Sequence, residues 1–455
     1  MRVYLDTCVL QDLKNDDYKA FLDSLIESKG ELVYCFSESH IQDLSRDKTD
    51  EKFSDMSFME MIVDDNCFFY EKRFLVENYT PHDYYNHFDW PSDSSASDTI
   101  KEFLESDDDF GGLLKSIFSS VPLNLKELIS QSQIPSDMPE GMTDMLLNSS
   151  NMYEYILTMI EYSDTLSVEQ KKFKEQLQYL HKNQLTQHLN LIGIEGYDGY
   201  KITDKEKFRN SYANYFLKNA KDKNRYDLFL DMYYGLEFLG FVQGKPKKQK
   251  MMNMINDARH AFFGGFCDIV VSKDEDFINK TKFMYNLHEI QTQVFNMSEF
   301  YAFIAIHNKR SDKYFIDLIN ELENEKTLSN VLYEIKDDNQ SAICRKLDYT
   351  YWGYFNMLIN HSNGNVYFTK DITNFMKGTL IKEIGFCVNQ LFKELGKDIN
   401  LRGKWESNEF ELEQEEEWCG RTWVIKNLIV DLKFSDKLYI ILGLIEEKNT
   451  KINEA

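Results

Sequence analysis

No stretch of this 455-residue chain approaches the ~20 apolar residues a membrane span needs, and Asp6 breaks the opening apolar run at once. A cytoplasmic protein without a targeting segment or a membrane is expected. Seven cysteines, Cys8, Cys35, Cys67, Cys267, Cys344, Cys387 and Cys419, form no C-x-x-C pair. That spacing argues against a disulfide framework or a zinc site. The thiols read as reduced core residues, with Cys8, Cys35 and Cys267 in or beside apolar runs. Basic charge is in deficit, 52 Lys and Arg against 76 Asp and Glu, for a net charge of −24. Phosphate affinity comes from Lys and Arg, so broad adhesion to nucleic acid is not expected. A nucleic-acid substrate would need a local basic patch, metal ions or a partner to bring it in. No G-x-x-x-x-G-K-[ST] loop occurs, and ATP use is not indicated.

What is present is ample core material: 42% hydrophobic and 14% aromatic residues over a length that exceeds one ordinary domain. The first 65 residues alternate strand and helix signals. Val3 to Leu5 is a short apolar strand, residues 18–28 put Phe21, Leu22, Leu25 and Ile26 at helical spacing, and residues 32–36 form a second strand. Ser37 then stands as the N-cap of a helix reaching Ser45. A β-α-β-α opening of this kind favours a parallel sheet.

From residue 66 to 224 the texture is helical. Phe103, Leu104, Leu113, Leu114 and Ile117, and later Met152, Tyr155, Ile156, Met159 and Ile160, read as helix faces separated by loops over 91–98 and 133–139. The α/β pattern resumes near Tyr226, with apolar runs at 228–230 and 236–240. A helix carrying Asp257, a strand over 267–272, a helix through Asn286, a strand over 293–295 and a closing helix from Ser298 follow. The expected division is therefore 1–65 and 225–310 as two segments of one α/β domain, 66–224 as a helical insertion, and 311–455 as a separate α+β module. That last module is read as a helix over 314–326, alternating segments at 349–355 and 366–368, an amphipathic helix over 372–395, and strands over 422–434 and 438–445 turning at Ser435-Asp436. The acidic run at 409–417 reads as a solvated loop.

Carboxylates in distant clusters carry the chemistry. Asp6 closes Val3-Tyr4-Leu5 and Asp274 follows Ile269-Val270-Val271-Ser272, each just past a buried-type strand, where a parallel sheet builds its ligand site. Asp43 lies within Ser37-Glu38-Ser39-His40-Ile41-Gln42-Asp43-Leu44, and Asp257 within Asn256-Asp257-Ala258-Arg259-His260-Ala261. These runs, in this order and with this secondary structure between them, resemble the PIN domain, a family of metal-dependent nucleases. The resemblance covers about residues 1–65 and 225–305, and it departs from the family at Asp43, where Glu is frequent. It implies a PIN-like parallel sheet flanked by helices, a Mg²⁺ or Mn²⁺ cofactor, and an endoribonuclease acting on single-stranded RNA. A toxin or phage-defence effector is the cellular context the family implies.

Elementary electrostatics points the same way. Carboxylates ~4 Å apart repel by ~4 kcal/mol per pair at an effective dielectric of 20, so a cluster calls for cations or raised pKa values. Mg²⁺ or Mn²⁺ takes hard oxygen ligands and keeps positions for water and a phosphate oxygen. A bound metal supplies the nucleophile by lowering the pKa of its water, and a second would stabilise the leaving oxygen. Asp6 and Asp274 are the expected direct ligands. Asp43 and Asp257 are expected to complete the shell or to bind metal-held water, and Ser272 to hold a carboxylate or the scissile phosphate by hydrogen bonding. Asp276 reads as a helix cap and Asp268 as an exposed strand-edge charge. His40 and His260, three residues from site acids, read as structural hydrogen-bonding groups. Lys245, Lys247, Lys248 and Lys250 are either a solvated connector or a phosphate-tracking patch. The alternative from another class is a catalytically weak PIN scaffold that binds a regulatory protein or RNA.

Overall fold

The computed structural model describes residues 1–71, 73–87, 119, 149–151, 153–154, 157–158, 193–198, 201–219, 224–238, 251–311, 331–337, 340–370, 377–406, 409, 418–434 and 440–446. The helix faces expected at Phe103, Leu104, Leu113, Leu114, Ile117, Met152, Tyr155, Ile156, Met159 and Ile160 lie outside those residues. So do both loops of the central block, the Lys245 to Lys250 cluster, the helix over 314–326, the turn at Ser435-Asp436 and most of the acidic run.

In chain order the elements are β1 (Arg2–Leu5), α1 (Thr7–Asp12), α2 (Lys19–Glu27), β2 (Val33–Ser37), α3 (Glu38–Ser45), α4 (Glu51–Val63), β3 (Asn66–Glu71), β4 (Arg73–Asn78) and α5 (Pro81–His87). Next come β5 (Tyr197–Asp198), β6 (Lys201–Ile202), α6 (Lys205–Asn219), α7 (Arg225–Phe238), α8 (Met251–Gly264), β7 (Ile269–Ser272), α9 (Glu275–Leu287), β8 (Gln293–Asn296) and α10 (Met297–Ser311). The last are β9 (Val331–Asp337), β10 (Gln340–Tyr351), β11 (Phe355–His361), β12 (Val366–Thr369), α11 (Lys377–Leu395), β13 (Arg421–Ile425), β14 (Leu428–Phe434) and β15 (Ile440–Glu446). They fall into two compact units, one of Met1–Phe88, Phe263–Asp274 and Ile290–Ala455, the other of Asp89–Phe262 and Glu275–Glu289.

The first unit holds an α/β sheet in the order β4-β3-β2-β1-β7-β8. Five strands run parallel, and only β4 is antiparallel, at the edge. β1, β2 and β7 are buried throughout, which is why their sequences are unbroken apolar runs rather than alternating ones. Helices α2 and α10 pack on each other, as do α3, α4 and α5. The sheet extends further than the sequence reading: residues from Asn66 onward, assigned there to a helical insertion, form β3 beside β2 and turn back as β4. Four of those residues, Asn66 to Phe69, are buried by this pairing. In the second unit, the apolar runs at 228–230 and 236–238 lie in one helix, α7.

The antiparallel sheet, in the order β13-β14-β15-β12-β11-β10-β9, belongs to the first unit as well. Its core gathers Phe355, Leu358, Phe368, Trp423, Val430 and Leu442 beneath Ile384, Cys387 and Val388 of α11. The single strand expected over 422–434 is a hairpin instead, broken where Ile425 pairs with Leu428 across Lys426-Asn427. Lys426 there takes the left-handed conformation, φ +54°, that a two-residue hairpin turn demands. Gly353 at φ +65° turns β10 into β11 where a Cβ would overlap the Glu31 carbonyl, a close approach that only glycine permits.

Buried charge ties this sheet to the parallel one. Lys370, after β12, lies 2.9 Å from Asp268 Oδ2 and 3.3 Å from Glu383 Oε1 on α11. The Arg2 backbone N–H donates to the same Asp268 oxygen at 2.7 Å, and its side chain stands 3.8 Å away. Asp268 is therefore not the exposed edge charge expected from sequence. Burial alone would raise its carboxyl, but Lys370, Arg2 and the chain's first amino group outweigh burial and hold it well below the usual range. Lys382 of α11 meets Asp65 and Asn66, and Phe386 fits against Gly30. All these contacts fall at the amino ends of the parallel strands, opposite the ends that carry Asp6 and Asp274.

Candidate active site

Strand order places a topological switch point at β1. The chain leaves β1 toward β2 and β3 on one side, while β7 and β8 build the other. The crevice outside the carboxyl ends of the strands on either side of such a point is where open parallel sheets bind ligands. Asp6 follows β1 and Ser272 ends β7, so both face that crevice by position.

Their side chains meet. The Asp6 backbone N–H donates to the Val271 carbonyl at 2.9 Å, carrying the strand pairing one step beyond β1. Ser272 Oγ donates to Asp6 Oδ2 at 2.6 Å and accepts the Asp274 backbone N–H at 3.1 Å. A fully buried serine thus links the two acids of adjacent strand ends. Cys8, in the first turn of α1, donates its thiol to the same Asp6 oxygen at 3.0 Å and lies 3.6 Å from Ser272 Oγ. Among the described residues, every hydrogen bond to the Asp6 side chain ends on Oδ2, so Oδ1 keeps its lone pairs. Burial first, and then the Asp6 charge, push the Cys8 thiol far up and hold it neutral.

Asp43 joins from α3. Thr7 Oγ1 donates to its Oδ2 at 3.0 Å, and Arg46, one turn on, lies 3.3 Å from its Oδ1. Helix α3 is set at this place by a reciprocal cap. Ser37 Oγ accepts the Ser39 N–H, while His40 Nδ1 accepts the Ser37 N–H at 3.0 Å. With Nδ1 accepting, His40 Nε2 is the donor to the Leu5 carbonyl at 2.7 Å, which anchors the residue before Asp6. Tyr4 and Ser37 share a buried hydrogen bond of 2.6 Å beside it. His40 is thus a structural group rather than an exposed catalytic one. Around the acids, Lys273 pairs with Asp12 at 2.6 Å and Lys14 with Asp55 at 2.7 Å.

Asp6, Asp43, Ser272 and Asp274 belong to the first unit, and Asp257 to the second. Asp257 lies on α8, half-buried, and its charge reaches Tyr234 on α7. Burial foremost holds that phenol neutral, Asp231 and Asp257 adding to the effect against Arg259. Among the described residues, no group of three or more His, Cys, Asp or Glu is arranged to hold a metal ion. No described helix is long and apolar enough to cross a membrane.

Two residues of the crevice escaped the sequence reading. Thr7 carries no role in the sequence pattern and Cys8 reads there as a core thiol, yet both contact site acids. The available signal was position: the first turn of a helix that begins directly after a strand-end carboxylate points back into the crevice. Cys35 and Cys267, by contrast, are buried as expected. Comparison of the chain with protein-family models, curated proteins and solved structures finds no match.

Proposed function

We propose that this protein is a PIN-type, divalent-metal-dependent endonuclease that hydrolyses phosphodiester bonds, with single-stranded RNA as the favoured substrate. The observation that carries the reading is the junction of Asp6 and Asp274 through Ser272 at the carboxyl ends of adjacent parallel strands. Hard oxygen donors there suit Mg²⁺ or Mn²⁺, and the free Oδ1 of Asp6 leaves room for one. Bound metal would supply activated water and neutralise phosphate charge. This chain's own groups do the positioning. Ser272 fixes the Asp6 carboxylate and the Asp274 backbone, and Thr7 and Arg46 fix Asp43. Ser272 is also the hydrogen-bonding candidate for the scissile phosphate.

The test is cleavage of labelled single-stranded RNA and its DNA counterpart by the full chain with Mn²⁺ or Mg²⁺. A chelator should abolish cutting. Asp6→Asn should lower Mn²⁺ affinity and cleavage together by about 100-fold or more, since even outer-shell partners are worth ~10–100-fold. No cleavage of either polymer with any divalent metal would refute the reading.

A second reading, a catalytically weak scaffold that binds a protein or RNA, is favoured by one observation: both Asp43 oxygens are engaged by Thr7 and Arg46. Partner binding indifferent to Asp6→Asn and Asp274→Asn would support it. A toxin or defence role remains the proposed context. It predicts that expression of the active chain is toxic to cells and that Asp274→Asn relieves the toxicity.

A further inference from the structure

The antiparallel sheet ends on β9, which among the described residues has a strand neighbour, β10, on one side only. Its first residues are apolar and open to solvent: Val331, Leu332 and Tyr333 are each 48–49% exposed. An edge of this kind, without proline, is a template for another strand, because its outward N–H and C=O groups already stand in ladder geometry.

The backbone limits how such pairing can run. Against β10, Tyr333 to Asp337 pair residue for residue with Cys344 to Gln340, but the next pair is Val331 with Arg345, so Leu332 is the extra residue of a bulge. The regular stretch of the edge is therefore 333–337, centred on Ile335. Successive residues of a strand turn their main-chain groups to opposite sides, so outward-facing residues must meet outward-facing ones across a new antiparallel seam. Two copies of 333–337 laid antiparallel about a two-fold axis at Ile335 satisfy this at every position. Ile335 then faces its own copy, Glu334 faces Lys336, and Tyr333 faces Asp337.

The charges agree with the register that the bulge selects. Each strand sets a carboxylate opposite the other's ammonium, twice by symmetry, and opposite charges directly across a seam are stabilising. The neighbouring allowed registers, centred on Glu334 or on Lys336, would oppose like charges at the axis. We propose that this protein forms a two-fold dimer by antiparallel pairing of β9 with β9 of a second copy, in the register centred on Ile335, so that the two antiparallel sheets become continuous. The proposal is independent of the nuclease reading.

The experiment measures the mass of the full chain by sedimentation over a range of concentrations, and the wild type should dimerise. Glu334→Lys alone, or Lys336→Glu alone, turns both attractive pairs into repulsive ones and should weaken the dimer at least about tenfold. The two substitutions together restore opposite charges and should restore the dimer, which also shows that neither prevents folding. Cross-linking reads the register without changing charge. Opposite residues of antiparallel strands have Cα atoms about 4.5–5.5 Å apart, within reach of a disulfide. In a Cys419→Ser background, which removes the exposed thiol, Ile335→Cys should therefore oxidise to a covalent dimer. Leu332→Cys, whose two copies would lie ~20 Å apart, should not. A chain that stays monomeric at every concentration would overturn the proposal, as would a dimer indifferent to the single charge reversals or not recovered by the double one. Cross-linking that fails at residue 335, or that proceeds equally at 332, would overturn it as well.

Discussion

Replacing Lys370 by Met tests whether the antiparallel sheet and the parallel sheet are held together by buried charge. The ammonium lies 2.9 Å from Asp268 and 3.3 Å from Glu383, and Lys370 and Glu383 are each under a tenth exposed. Removing it leaves Asp268 with Arg2 and the chain's first amino group, and it leaves Glu383 as a buried carboxylate that has lost its nearest cation. Deleting one partner of a buried pair costs ~3–5 kcal/mol, most of it the penalty of the charge left behind. The loss is a large share of the ~5–15 kcal/mol by which a domain is stable, and corresponds to a midpoint shift on the order of 10 °C. Tryptophan fluorescence reports on the right place, because Trp352, Trp405, Trp418 and Trp423 all lie in the first unit. The companion Lys370→Met with Glu383→Gln should recover part of the loss, since the stranded charge is gone.

Proton linkage gives the same variant a second signature. The Asp268 carboxyl is depressed in the folded protein, so its contribution is present above the unfolded value of ~3.9 and is lost as pH falls below it. In a Glu383→Gln background, where no stranded carboxylate can take up a proton, the cost of adding Lys370→Met should hold steady from pH 7 to about 4 and narrow beneath that. A variant within 1 kcal/mol (~1 kcal/mol being the worth of an ordinary hydrogen bond) of wild type in urea unfolding would refute the buried-charge account.

Other outcomes follow from single contacts. Ser37→Ala removes the cap of α3 and the partner of Tyr4, and should cost about 1–2 kcal/mol in urea melts; no loss would mean the cap is dispensable. His288 is held down to about 4 by burial and by nearby Arg225, so the unfolded state takes up a proton first as pH falls. Stability of the second unit should therefore be full above ~6.5 and drop by roughly 3 kcal/mol on acidification to about 4, and His288→Gln should flatten that slope in hydrogen-exchange or urea data. Asp6→Asn without metal should change the melting temperature little, because an amide oxygen in the place of Oδ2 still accepts both hydrogen bonds. A large metal-free loss would mark Asp6 as a structural aspartate instead.

Much of this protein was legible before any tertiary contact was known. Apolar runs of four or five residues ending in Asp6 and at Ser272, with helical spacing between them, specify a parallel sheet because strands buried on both faces need no polar alternation. Ser37 announced the start of α3 for an equally local reason, the need of helical N–H groups for an acceptor. The placement of Asp6 and Asp274 at strand ends followed from that periodicity alone.

What the chain pattern left undecided depends on pairing across long separations. Asp268 meets Arg2 across 266 positions and Lys370 across 102, so nothing in its neighbours distinguishes a buried ion pair from an exposed edge charge. Residues 66 to 71 became strand because β2 offered a parallel edge, a tertiary gain that outweighs their local texture. Cys8 looked like one more core thiol because burial and contact with Asp6 are set by the angle at which α1 leaves β1. Local physics determined which elements form and where the acids stand; the fold alone decided which of those acids are tied to serine, thiol or lysine, since that is a matter of which strand ends come together.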